Sequence, residues 1–312
     1  MSRRLPRPEL PMRAGVTASC VALPHGPWTW VVDFLAERLP KVSRDDWLAR
    51  MGRQEVFDAQ GHALSPDAPY RPQSRVYYYR QLDHEPPLVH EERVLFADAH
   101  LVVADKPPFM PVTPKGRYVN NSLLVRLRQR LQLPELSPLH RIDRETSGLV
   151  AFAVRAQDRH AYQRLFALRE VHKMYHAIAP VRDDLALPRL HRSRLESQTD
   201  FFVSHEVPGE PNSETQIALL ARSGARGLYA LSPITGKRHQ LRVHMWALGM
   251  PIEGDQFYPR VRRGPDEADD VEHPLQLLAQ SLRFVDPITG EERHFESQQP
   301  LNWPLNTDTT AR

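Results

Sequence analysis

Little in this chain could serve redox or membrane chemistry. Its 312 residues include one cysteine, Cys20, so neither an intrachain disulfide nor a cysteine-rich zinc site can form. No apolar run approaches the ~20 residues that a membrane span requires. The start, Met1-Ser2-Arg3-Arg4-Leu5-Pro6, lacks the apolar core of a secretory signal. Its 14 glycines form no dinucleotide fingerprint and no phosphate-binding loop, which removes most nucleotide-dependent enzymes. Charge of one sign is scarce too: 41 basic against 38 acidic residues leave a formal net charge of +3. Affinity for a polyanion must then come from local clustering. A cytoplasmic protein with no membrane partner is expected.

Clusters of that kind are present. Arg126, Arg128 and Arg130 form one, Arg189, His191, Arg192 and Arg194 a second, and Arg260, Arg262 and Arg263 a third, beside the acidic Asp266 to Asp270. The length suits about two domains. Residues 1–26, rich in Pro and Arg, read as irregular. Val31, Phe34, Leu35 and Leu39 recur at helical spacing before Pro40, and Ser43 with Asp46 caps a second short helix ended by Gly52. Short strands follow at Val56-Phe57 and at Val76 to Tyr79. Pro86-Pro87 marks a linker, so residues 27–85 form one module and 86–299 a larger one, with a loose tail at 300–312. In the larger module Asn121 or Ser122 caps a helix with a Leu123, Leu124, Leu127 and Leu131 stripe closed by Pro134. Another helix spans residues 158–168, a strand runs from Val171 to Ala179, and Thr235-Gly236 opens a helix that Gly249 and Pro251 close. Two Pro-Ile-Thr-Gly copies, at Pro233 and Pro287, are turn chemistry rather than a repeat, the second of them a hairpin turn. The pattern predicts an α+β fold: a mixed, largely antiparallel sheet with packed helices, plus a small N-terminal α/β module.

The most informative stretch is His140-Arg141-Ile142-Asp143-Arg144-Glu145-Thr146-Ser147-Gly148-Leu149, running into the apolar Val150 to Val154. A dense polar turn meets a buried strand, and Arg141 and Arg144 flank a carboxylate whose charged form positive neighbours favour. This run resembles the central motif of the RluA-type pseudouridine synthases. Three further segments resemble that family's motifs, in its order: Asp98 to Pro107 with Pro111 and Pro114, Val171-x-Lys173-x-Tyr175-x-Ala177, and Thr235 to His244 with Leu248 to Asp255. Departures are Lys237-Arg238 before His239-Gln240, Phe109 where glycine is common, and Leu278 in a segment that often carries His. Residues 27–85 resemble a degenerate S4-type RNA-binding module, with Asp45-Asp46 an acidic departure.

The resemblance implies the pseudouridine synthase fold and isomerisation of specific uridines in structured RNA, ribosomal or transfer, with base flipping. It implies Asp143 as the catalytic carboxylate, Tyr175 stacking on the target base, and Arg242 paired with Asp143. His140, Arg141, Arg144, Thr146, Lys173, Lys237, His239 and Gln240 are the RNA-binding candidates. No cofactor is expected. His239 and His244 lack the spacing of a metalloprotease pair, so no metal is expected either. No protein partner is evident, and a monomer is expected. Asp143 could attack C1′ or take the 2′ proton. A glycoside hydrolase would need a clear second acid at a defined separation, which the motif does not mark. A catalytically silent RNA-binding protein of the same fold is the alternative reading.

Overall fold

The computed structural model describes residues 8–80, 82, 84–197, 203–264 and 267–303. The chain divides into two compact units, residues 1–85 with 116–120 and residues 86–115 with 121–312.

The smaller unit begins with β1 (Ser19–Ala22), a strand in the stretch read from sequence as irregular. It pairs antiparallel with β3 (Arg75–Tyr78), which also pairs with β2 (Val56–Phe57). Helices α1 (Val31–Arg38) and α2 (Arg44–Gly52) complete it. The α2 cap is the one its sequence indicates, with the Ser43 hydroxyl accepting the Asp46 N–H at 3.1 Å. Val31, Val32, Phe34 and Leu35 of α1 and Trp47 and Met51 of α2 are buried together against Val56 and Val76. Residues 116–120, which a boundary at Pro86-Pro87 would leave in the larger module, belong here because Glu85 accepts the backbone N–H groups of Val119 and Asn120 at 2.9 and 2.8 Å.

The larger unit is built on an 11-stranded sheet. Its elements are β4 (Arg93–Ala97), β5 (Leu101–Lys106), α3 (Leu123–Leu131), β6 (Ser137–Pro138), β7 (Ser147–Ala153), α4 (Arg159–Ala167), β8 (His172–Pro180), β9 (Arg189–Ser197), β10 (Ser204–Val207), β11 (Ser213–Ser223), β12 (Arg226–Pro233), α5 (Gln240–Ala247), β13 (Leu277–Val285) and β14 (Glu292–Glu296). The spatial order is β10-β9-β11-β12-β8-β13-β7-β5-β4, with β14 on β13 and β6 on β7. The β13–β7 pair is parallel and the other pairings are antiparallel, so the sheet is mixed and largely antiparallel.

Strand β7 shows why the apolar run after the polar motif is continuous. It is buried on both faces, and such strands do not alternate with polar residues. Val150, Phe152 and Val154 face Leu123, Leu124 and Leu127 of α3, while Leu149, Ala151 and Ala153 face Tyr162 of α4. Each fully buried leucine of the α3 stripe contributes about 1.5–3 kcal/mol. At its start β7 meets β13 through Gly148, which has φ +105, and a Cβ there would overlap the Ala279 backbone. Only glycine meets both conditions. The polar motif is thus the loop between β6 and β7, anchored at its far end to an interior strand of the sheet.

Two helix boundaries differ from their sequence reading. Helix α3 stops at Gln132, in the left-handed region at φ 56, two residues before Pro134. Helix α5 begins at Gln240 rather than near Thr235, because His239 sits at φ 55. The intervening turn is held by side chains: Thr235 Oγ1 accepts the Glu214 N–H at 2.9 Å and donates to Gln240 Oε1 at 2.7 Å, which also accepts the Lys237 N–H at 3.0 Å. The second Pro-Ile-Thr-Gly copy is the β13–β14 hairpin turn, where the Asp286 carboxylate accepts the Ile288 and Thr289 N–H groups.

Candidate active site

Arg242 is the centre of the site. Its side chain is 0 % exposed, and a guanidinium so placed requires acidic partners. The two-pronged contact goes to Asp255: Nε donates to Oδ2 at 2.8 Å and Nη2 to Oδ1 at 2.6 Å. Nη1 is left pointing toward Asp143 Oδ2 at 3.4 Å and Glu145 Oε2 at 3.6 Å. From sequence Arg242 has one expected partner, Asp143; the structure gives it a stronger one. Burial alone would lower the Arg242 pKa, but Asp255 first, then Asp143 and Glu145, push it up. Asp255 is itself fixed by the Phe257 and Tyr258 N–H groups at 2.8 and 3.1 Å, and both aromatic rings lie within about 6 Å of the guanidinium. Arg242 is therefore preorganised, with one prong aimed at Asp143.

The Asp143 side chain is 27 % exposed, so the carboxylate can meet a substrate. His239 Nε2 stands 3.9 Å from its Oδ1. Tyr175, on β8, has its phenol pushed well above its usual range by burial and then by the charge of Asp143, and is a neutral hydroxyl at physiological pH. Asp143, Arg242, Glu145, His239 and Tyr175 thus share one electrostatic environment.

The loop carrying Asp143 is tied from beneath. Lys106, at the end of β5, is fully buried and donates from Nζ to the Pro107 and Arg144 carbonyls at 2.7 and 3.1 Å. Burial lowers its ammonium to about 7, against the opposing pull of Glu145. Arg144 itself makes a two-pronged pair with Asp269 at 2.7 and 2.8 Å and reaches Glu145 at 3.0 Å. Phe109, where glycine is common in the resembling family, adopts φ 64 and places its ring 5.8 Å from the Arg144 guanidinium. The backbone there keeps the glycine-type conformation.

The other RNA-binding candidates divide by exposure. Arg141 and Lys237 are exposed, and Lys173 is half-buried. His140 lies under the loop, where its ring stacks on Phe166 at 4.9 Å and its Nε2 accepts the Ala151 N–H at 3.1 Å. An accepting Nε2 places the proton on Nδ1, and burial holds the ring neutral with a pKa of about 3. Thr146 and Gln240 are buried, and the Gln240 amide donates to the Glu214 carbonyl and to Thr215. These three hold the scaffold. The basic clusters are largely paired: Arg126 and Arg130 with Glu92, Arg192 with Glu214, Arg194 with Glu196, and Arg263 with Asp269.

His239 and His244 serve different purposes. His239 Nδ1 bonds the Tyr258 hydroxyl at 3.0 Å. His244 Nδ1 meets Thr215 and its Nε2 meets Ser213, both at 2.9 Å. Ligand atoms of His191, Glu206 and His244 lie within 4.8 Å of one another, yet these hydroxyls occupy both His244 nitrogens, and His191 Nε2 bonds Glu206 at 2.7 Å. The trio is complete as a hydrogen-bonded structural cluster.

Both rings are pushed down to about 3, by burial first and then by Arg242 for His239 and by His191 for His244. An unfolded histidine titrates near ~6.5, so between pH 6.5 and 3 the unfolded chain binds protons that the native chain refuses. Stability is intact above 6.5 and falls as the pH drops below it. Urea melts at pH 7.5 and 5.5 should differ by about 4 kcal/mol from these two rings and His140 together. A His244→Gln variant should lose about a third of that difference; equal stability at the two pH values would refute the neutral assignment.

From sequence, Asp255 lies within a motif but carries no role, and Glu145, Lys106 and Asp269 have no assignment. The available signal was the cost of burying Arg242, which calls for more than one carboxylate nearby.

Comparison with known proteins follows the same lines. The profile of a family described as RNA pseudouridylate synthase matches residues 100–247. The dual-specificity RNA pseudouridine synthase RluA of Haemophilus influenzae is 32 % identical over 227 residues, which cover 70 % of this chain and 97 % of that protein. Human pseudouridylate synthase RPUSD2 is 34 % identical over 189 residues, covering 58 % of this chain and 34 % of the human one, so the match spans about a third of the human protein. Among solved structures, human RNA pseudouridylate synthase domain containing 4 superposes with a TM-score of 0.52 at 27 % identity, over 66 % of this chain and 88 % of that one. The chain belongs to the RluA-type RNA pseudouridine synthases, a family that isomerises uridine to pseudouridine in RNA.

Proposed function

We propose that this protein converts specific uridines of structured ribosomal or transfer RNA to pseudouridine, with Asp143 as the catalytic carboxylate. The observation that carries this reading is a partly exposed Asp143 met by one prong of a buried, preorganised Arg242. In the reaction the N1–C1′ bond breaks, the base turns and C5 bonds to C1′. The C5 proton leaves and N1 gains one, so composition and oxidation state are unchanged and the balance calls for no electron carrier. Asp143 starts either route, attack on C1′ or removal of the 2′ proton. Tyr175, a neutral phenol beside it, offers the aromatic face that an unstacked base requires. The target must leave its stack to reach Asp143, and the exposed Arg141 is placed to occupy the vacated space or hold a phosphate. The presence of all three groups, Asp143, Tyr175 and Arg242, argues against a silent RNA-binding role.

The smaller unit contributes RNA contacts weakly in this reading, since Arg44 and Arg53 are already paired with Asp33 and Glu55. The bacterial relatives are named dual-specificity enzymes, which supports testing both RNA classes. Unmodified ribosomal and transfer RNA transcripts incubated with the protein in EDTA, then mapped by carbodiimide-blocked reverse transcription, should show new stops at one or a few uridines. No new stop in either class would overturn the proposal.

A further inference from the structure

The chain from Asp255 to Arg263 leaves the surroundings of Asp143 and comes back to them. At its start Asp255 holds Arg242, and the residues after it stay close. The Phe257 ring stacks on His239 at 5.7 Å and lies 5.0 Å from the Arg242 guanidinium, and the Tyr258 hydroxyl meets His239 Nδ1 at 3.0 Å. At its end Arg263 Nη1 reaches Asp269 at 3.4 Å. Asp269 is also the acid that takes both prongs of Arg144, the residue after Asp143. Between the two anchors the Arg262 N–H closes a turn on the Gln256 carbonyl at 2.8 Å. Arg260, Val261 and Arg262 form its outer part and are exposed. A turn anchored at both ends beside the loop that carries Asp143, with its outer residues in solvent, forms part of the rim of the site. Among the described residues neither Arg260 nor Arg262 has a side-chain partner, whereas Arg126, Arg130, Arg192 and Arg194 are paired with glutamates. The nearby acids Asp269 and Asp270 are engaged by Arg144 with Arg263 and by His273.

We propose that this is a phosphate-binding turn for the RNA strand that carries the target uridine, with Arg260 and Arg262 neutralising backbone phosphates beside the flipped nucleotide. The inference rests on the functional reading above, because the strand it names is the one whose uridine meets Asp143. A guanidinium presents a planar fork that matches phosphate oxygens in two-pronged contact. The two arginines stand two residues apart, at most about 7 Å along the chain, so they can take two phosphates of one strand. Phosphate contacts fix the register of a nucleic acid without reading its bases. The turn therefore supplies affinity and places the strand, and leaves recognition of the uridine to the groups around Asp143.

The test removes both charges, in Arg260→Gln/Arg262→Gln. In an Asp143→Asn background this pair of changes should weaken binding of unmodified ribosomal and transfer RNA transcripts about tenfold. The salt slope should be smaller by about 0.7 for each phosphate no longer neutralised. A matched loss of two charges, in Arg192→Gln/Arg283→Gln, serves as the control. The strand register puts those two arginines on the sheet face opposite Tyr175, where solvent ions screen them from the bound strand. That control should keep its affinity within about twofold. RNA substituted with 4-thiouridine should photocrosslink to residues 257–264 in the chain carrying only Asp143→Asn. With Asp143 restored, Arg260→Gln/Arg262→Gln should lose activity mainly through a raised KM. Undiminished affinity and salt slope in that variant, an equal loss in the control, or crosslinks confined to other segments would overturn the phosphate-binding turn. A wild-type chain that makes no pseudouridine would overturn the functional reading instead, while the binding and crosslinking arms still report on the turn.

Discussion

Replacing Arg242 with methionine should cost about 3–5 kcal/mol of folding stability, the typical penalty for leaving one member of a buried ion pair alone. The stranded partner is Asp255, whose side chain is 1 % exposed and would keep only backbone N–H donors. A double-mutant cycle by chemical denaturation separates the two carboxylates. Arg242→Met combined with Asp255→Asn should show a coupling of about 1–3 kcal/mol, whereas Arg242→Met combined with Asp143→Asn should show less than about 0.5. The difference follows from geometry: two contacts of 2.6–2.8 Å to a buried acid against one of 3.4 Å to an acid 27 % exposed. Arg242→Lys should recover only part of the loss, since an ammonium cannot make the planar two-pronged contact. A larger coupling to Asp143 than to Asp255 would mean that Arg242 is anchored by the loop between β6 and β7 and not by the segment after α5.

Asp143→Asn should reduce pseudouridine formation by at least a thousandfold, about 4 kcal/mol of transition-state stabilisation. It should change stability by less than about 1 kcal/mol. Asparagine keeps the size of the side chain and an oxygen for the Arg242 prong, and it loses the nucleophilic or basic oxygen that either route requires. Single-turnover assays on an RNA shown to be modified by the wild-type chain supply the rate, and denaturation supplies the control. Activity within about tenfold of wild type would remove Asp143 from the chemistry.

Asp143 and Arg242 differ in how far sequence alone reveals their surroundings. The loop that holds Asp143 was legible because its polar run ends abruptly in a strand buried on both faces. The α3 stripe, the α2 cap and the β13–β14 turn were legible for similar reasons, since each is a local pattern with one physical meaning. The start of α5 was not, because side-chain hydrogen bonds from Thr235 and Gln240 set a left-handed residue that no periodicity announces. The pairing of Arg242 with Asp255 was hidden differently. The two residues stand 13 positions apart across a helix end and a turn, and only the fold decides which carboxylate receives both prongs. The scaffold roles of His140 and Gln240 were hidden because a buried polar side chain looks like an exposed one until its partners are known.

The segment that follows α5 ends up gripping two arginines. Near its beginning Asp255 takes Arg242, and near its end Asp269 takes Arg144 from the loop that carries Asp143. Mechanically it is a bracket with two clamps, one on Arg242, whose remaining prong meets Asp143, and one on Arg144, the residue after Asp143, with 13 residues strung between them. The span is not uniform: its first residues, Phe257 and Tyr258, hold the Asp255 clamp through their N–H groups, so changes there or at either clamp should disturb the setting of Asp143 more than changes farther along the span.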